Sequence, residues 1–285
     1  MGRFWRLLTA TLVIMTALLW KIPACAKFYG YGAVREVMKA YTIIGAWKMD
    51  KISSEHFSVR FMPDKRAEAE MVLETAEHFY YPVTGDFGFS PRGRIPLILY
   101  SSREELNKSF GWEANESAMG VYWAGAIRVL SPGVWAGEEN PEQIREIFAS
   151  SGPVAHELTH LIVDYLTGGN YPRWFTEGVA QYEEYKLTGF TFDDAAGSLR
   201  QPLYSMSELD SGFDSLPNQA LAYKESFAAV LYIDRCYGED TIYELIHELG
   251  QGNDLSVALE KVLKVDLRQF ETQWQEWYVP NVAGS

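Results

Sequence analysis

Phe57, Val59 and Phe61 alternate with polar neighbours, so residues 56–62 read as a half-buried strand. Ahead of them Val34, Val37, Met38, Tyr41 and Ile44 recur at helical spacing and predict an amphipathic helix over 33–50. Behind them Ala67, Ala69, Val72, Leu73, Ala76 and Phe79 predict a helix over 64–81 with those residues facing in. The run Ile95 to Tyr100 reads as a buried strand, with Pro96 placing its start near an edge. A short helix over 102–110 and a strand or hairpin over 120–130 follow. Asn140-Pro141-Glu142 then opens a helix: a capping side chain, a proline at the first position and an acid in the first turn.

From residue 154 onward the periodicity is helical. Val154, Leu158, Leu161, Ile162, Tyr165 and Leu166 share one helix face, and Gly168-Gly169 ends it. Pro153 fits that helix's first turn, with Ser150 or Ser151 as cap. Further helices are predicted over 172–186, 223–237, 240–249, 255–263 and 267–278. Residues 188–220, rich in Gly, Ser, Asp and Pro, read as a long loop. Strands and helices first, then a helix-rich half, give an α+β architecture. The expected division is an α/β lobe over 53–150, a helical lobe over 151–280 and a helix or linker over 27–52. A mixed or antiparallel sheet belongs to the first lobe.

Residues 1–26 resemble an export signal. Arg3 and Arg6 open it, Leu7 to Trp20 form an apolar run, and Ala24-Cys25-Ala26 suits cleavage. The alternative is an uncleaved anchor, since Lys21 interrupts the usual layout. Either way the expected location is extracytoplasmic: secreted, in the cell envelope, or tethered by residues 7–26. Cleavage after Ala26 would remove Arg3, Arg6 and Lys21 and no acid, moving the net charge from −13 to −16. That charge argues against nucleic acid as a partner, because no basic stripe is present. It argues likewise against polyanionic membrane surfaces as the main partner, which leaves membrane contact to an uncleaved anchor. Cys25 and Cys236 are the two cysteines, and the first would leave with the signal, so packing and metal must stabilise the fold.

The candidate chemistry lies in the predicted helix beginning at Val154. His156 and His160 are four residues apart and so fall within roughly 40° of one another on a helix. Their ring nitrogens can converge on one tetrahedral zinc ion, one per chain, with Glu157 placed to take a proton from water. Downstream, the run Pro172 to Ala180 offers Glu177 as a third ligand. Two imidazoles and a carboxylate leave a fourth position open, the mark of a catalytic zinc site.

The segment His156-Glu157-x-x-His160, followed by Trp174-Phe175-x-Glu177-Gly178-x-Ala180, resembles the gluzincin metallopeptidases, in particular their peptidase-MA-like branch. His156 to Tyr165 is similar to the active-site helix of thermolysin. The resemblance implies a zincin-like fold over 53–280, zinc ligands at His156, His160 and Glu177, and a general base at Glu157. It also implies a tyrosine downstream of the third ligand as oxyanion donor, for which Tyr223 is the candidate. Gln181 departs from the pattern, standing where thermolysin-like enzymes carry an aspartate that supports a zinc histidine. Asp164 is a candidate substitute, or an exposed helical aspartate. The segment Gly125 to Val129 is either the cleft's edge strand, able to pair with an extended peptide, or an internal strand paired on both sides. Trp174 and Phe175 read as packing residues, and Gly178 as a site of close helix approach.

The expected activity is therefore an exported zinc-dependent peptidase acting on peptide or protein substrates. Two alternatives share its residues: a zinc hydrolase of non-peptide amides, and a metal-bearing envelope binding module without hydrolysis. The presence of Glu157 speaks against the module, and the open position speaks against a scaffold with structural zinc.

Overall fold

The computed structural model of the chain describes residues 24–111, 118–137, 140–191 and 202–281. Residues 1–23 of the expected export segment lie outside the described residues, as do 192–201 of the expected long loop. Helix α1 (Ala24–Gly45) begins well before the predicted residue 33, so the expected cleavage point falls inside it. Next comes β1 (Asp50–Ser53), a short strand with one half-buried apolar residue that the hydrophobic pattern did not reveal.

Then follow β2 (Phe57–Phe61), helix α2 (Arg66–Asp86), β3 (Ile95–Tyr100), helix α3 (Arg103–Phe110), β4 (Gly120–Trp123) and β5 (Ala126–Leu130). The five strands form one mixed sheet in the order β1-β2-β3-β5-β4. β2, β3 and β5 run parallel, with Val59 beside Leu97 and Leu97 beside Ile127, while β1 and β4 pair antiparallel at the two margins. One expectation is corrected here: β3 is central, and its Pro96 is tolerated at the second position of the strand, before the register with β5 begins at Leu97. Of the two readings of Gly125 to Val129, the internal one holds: Ala126 to Val129 lie in β5, which is paired on both sides, and the margin of the sheet is β4. Ala124 and Gly125, both with positive φ, make the two-residue turn of that hairpin.

The second half comprises short α4 (Pro132–Trp135), α5 (Pro141–Ser151), α6 (Val154–Thr167), α7 (Arg173–Thr188), α8 (Met206–Gly212), α9 (Gln219–Tyr237), α10 (Asp240–Gly250), α11 (Leu255–Val262) and α12 (Leu267–Asn281). Asn140 caps α5 through the Glu142 amide, as its sequence predicts. Ser150 and Ser151 do not cap α6; they end α5, and Pro153 takes the cap position without a side-chain bond. Gly168, left-handed at φ 63°, closes α6. Within the expected loop, Ser205 and Glu208 form a reciprocal capping box that starts α8.

Helix α6 joins two cores. Ala155, Leu158, Leu161 and Ile162 pack beneath the sheet with α2, whereas Val163 belongs to the helical core with Trp174, Phe175, Phe270 and Trp274. The α+β reading stands. Trp174 and Phe175 are packing residues, each at most 1% exposed. At Gly178 a side chain would meet the Ser226 carbonyl at 2.3 Å, so glycine there lets α7 and α9 cross at close range.

Candidate metal centre and its surroundings

Helix geometry turns His156 and His160 to the same side of α6, and α7 crosses it to bring Glu177 opposite. The His156 Nε2 and His160 Nε2 atoms lie 3.1 Å apart. Glu177 Oε2 lies 3.3 Å from the first and 3.5 Å from the second. Four tetrahedral ligands at 2.0–2.1 Å from a zinc ion are separated from one another by about 3.3 Å. The three observed separations bracket that value. Glu177 Oε2 is also buried without a hydrogen-bond donor, as expected of an oxygen reserved for a cation. Among the described residues these three form a group able to hold a metal ion, so the donor set fits zinc.

The far sides of both rings are fixed by groups that the sequence reading did not identify. His156 Nδ1 faces Glu184 Oε2 at 3.3 Å, and His160 Nδ1 faces Thr176 Oγ1 at 2.8 Å. Such partners orient the imidazoles and select their tautomers. Glu184 lies two helical turns after Glu177, so it shares that residue's face of α7; the spacing was a usable signal. Gln181 instead donates to the Glu177 and Tyr223 carbonyls, tying α7 to α9.

Asp164 does not touch the histidines. It is wholly buried and accepts from Tyr31 Oη (2.6 Å), Tyr122 Oη (2.6 Å) and Arg35 Nη1 (3.0 Å). One carboxylate thereby fastens α1 and β4 to α6. The consequence reaches Glu157, whose Oε2 accepts the backbone amide of Tyr122. The rest of Glu157 is enclosed, and Gly120 lies so close to its stem that a side chain there would meet it. Burial, helped by the charge of Glu177, pushes the Glu157 carboxyl above its ordinary value, and the two histidines oppose that rise. Burial acts on Glu177 in the same sense, but the His160 and His156 rings and Arg173 outweigh it and hold that carboxyl well below the usual range.

Tyr223 sits beside this cluster. Its hydroxyl is held un-ionised chiefly by burial and then by the Glu177 charge, and it accepts from Arg173. Arg173 pairs with Glu177 Oε1 at 2.8 Å and is 47% exposed, so it lines the open side of the centre. Only one sequence signal marks Arg173: its separation of four from Glu177 places the two on one helix face.

A sequence profile of the Peptidase MA superfamily matches residues 83–280, and the chain belongs to that superfamily. Membership supports a metallopeptidase, and members are typically zinc-dependent. No curated protein matches the chain.

Proposed function

We propose that the protein is a gluzincin-type zinc peptidase that hydrolyses peptide bonds with Glu157 as general base. The observation that carries this reading is the convergence of two imidazole nitrogens and one donor-free carboxylate oxygen within 3.5 Å of one another, beside a fourth, enclosed carboxyl. His156, His160 and Glu177 would hold one zinc ion per chain. Zinc, when bound, supplies a Lewis acid that polarises a carbonyl and acidifies water.

The chain's own groups perform the remaining work. Glu157 takes a proton from the attacking water and delivers it to the leaving amine nitrogen. The Tyr122 amide holds Glu157 Oε2, which directs the other oxygen toward the water. Tyr223, un-ionised and so able to donate, faces the developing oxyanion together with Arg173. The half-buried margin strand β4 lies along the same side, and its backbone groups other than the Tyr122 amide are the ones an extended peptide would pair with.

Export to an extracytoplasmic location, through residues 1–26 or with them retained as a tether, completes the proposal. Among the described residues no helix is long and apolar enough to cross a membrane. A peptide-library digest by the purified protein, with and without a zinc chelator, tests the activity. Cleavage that the chelator stops and Glu157→Gln abolishes is the expected result. Bound metal without cleavage of any peptide would turn the reading toward a binding module.

A further inference from the structure

Helix α1 is docked inside out. At 100° per residue, Tyr31, Arg35, Lys39 and Thr42 fall on one arc, and this arc meets the body of the protein. Arg35 and Tyr31 bind Asp164, Lys39 binds the Tyr165 hydroxyl, and Thr42 accepts from Arg128. The opposite arc carries Val34, Val37, Tyr41 and Ile44, exposed by 61%, 68%, 72% and 66%. A surface helix of a globular protein buries its apolar stripe and wets its polar one. Here the polar stripe is consumed by the fold and the apolar stripe has no intramolecular partner among the described residues. Exposed Trp47 follows directly after the C-terminal end of the stripe.

Two further facts identify what covers this face. The apolar run Leu7 to Trp20 ends only Lys21, Ile22 and Pro23 before α1 begins, a reach of about 14 Å at full extension. Charge is also divided along the chain. With the buried Arg35–Asp164 pair set aside, residues 1–51 hold seven Lys and Arg against Glu36 and Asp50, a net +5, which leaves −18 for the remainder of a chain at −13. Lys27 and Lys48 flank the apolar stripe, and Lys48 lies 5.5 Å over the exposed Trp47 ring. Aromatic and basic residues bordering an apolar helix face are the composition of an interfacial helix. Pairing two copies through this face would oppose their basic segments, whereas an anionic lipid surface attracts them and repels the acidic remainder.

We infer that the outer face of α1, centred on Val34, Val37, Tyr41 and Ile44, lies in the surface of an anionic phospholipid bilayer, with α1 parallel to the membrane. The metal centre is then carried at a fixed height above the lipid, because α1 is fastened to α6 through Asp164. The inference does not depend on zinc or on hydrolysis.

The test uses the full chain with Cys25→Ser and Cys236→Ser, carrying an environment-sensitive dye on Val37→Cys or, as reference, on exposed Glu244→Cys. Each is reconstituted in phosphatidylcholine vesicles with and without phosphatidylglycerol. With the anionic lipid, the dye at 37 should be quenched by shallow doxyl-lipid and shielded from iodide by about fivefold relative to 244. Equal iodide access at both positions would overturn the inference. Shielding at 37 without doxyl quenching would also overturn it, by showing that a second copy or residues 7–20 cover the face. Equal behaviour in neutral vesicles would reject the role of lipid charge.

Discussion

Glu157, Tyr223 and Glu184 each carry a separable share of the proposed chemistry. A base removed without disturbing the ligands should leave metal content untouched, so Glu157→Gln is expected to keep its zinc and lose about 10²- to 10⁴-fold in kcat. Tyr223→Phe should lower kcat by about 10- to 1000-fold with little change in KM, because the hydroxyl serves the oxyanion and not the bound substrate. An unchanged kcat would leave Tyr223 as packing against Phe213, which it meets edge-on at 5.2 Å. Glu184→Gln weakens the hold on His156 Nδ1 and should loosen zinc by about 10- to 100-fold, measured by competition with a chelating dye. At this scale the sequence was most legible for residues whose role follows from spacing on one helix. His156, His160 and Glu157 needed only the α-helical repeat. Of the partners of the rings, Glu184 left a signal in its spacing from Glu177, but Thr176 left none, since it reaches His160 across a helix crossing whose angle no local pattern encodes.

At the scale of elements, α6 was foreseen closely because its apolar periodicity and its terminal glycines agree. What escaped was its dependence on α1 and β4. Asp164 is buried beneath α1 and β4, and an aspartate on a predicted helix reads as solvent-facing until the elements are assembled. Its removal strands the Arg35 guanidinium, which is 9% exposed, without its carboxylate. Asp164→Ala should therefore cost about 3–5 kcal/mol in urea unfolding. A loss under 1 kcal/mol would show that α1 is not fastened there. The choice between margin and interior for Gly125 to Val129 was open for a similar reason: β5 and β4 are one hairpin, and nothing in residues 120–130 states which of its arms will meet β3. The short helix α8 was hidden by the Gly, Ser, Asp and Pro content of its surroundings, although the Ser205-x-x-Glu208 capping pattern was there to be read.

At the scale of the whole molecule, acidic groups sealed in the helical lobe make stability depend on pH. Glu225 is fully enclosed, and burial pushes its carboxyl up to about 8, with Glu208 adding to the rise and the Tyr204 amide opposing it. In the unfolded chain the same group titrates near 4.5. The folded state thus keeps the proton longer. Its contribution is complete below about pH 4.5 and is lost as pH rises through 8, at about 1.4 kcal/mol for each pH unit between the two values. Glu225→Gln should flatten the fall in unfolding free energy between pH 5 and 8; an identical slope in the variant would assign it elsewhere. The α+β class, with its strands in the first half, was readable from the change of hydrophobic period. The inverted docking of α1 was not, because Val34, Val37, Tyr41 and Ile44 announce an apolar stripe without saying which way it will face.

Everything functional rests on His156, His160 and Glu177 sharing one zinc ion. Native mass spectrometry of the purified chain and of Glu177→Ala, each loaded with equimolar zinc, measures this directly. One zinc per chain that survives in Glu157→Gln and disappears in Glu177→Ala is the predicted result. A wild-type chain that takes up no zinc, or a Glu177→Ala chain that holds it as tightly as the wild type, would contradict it.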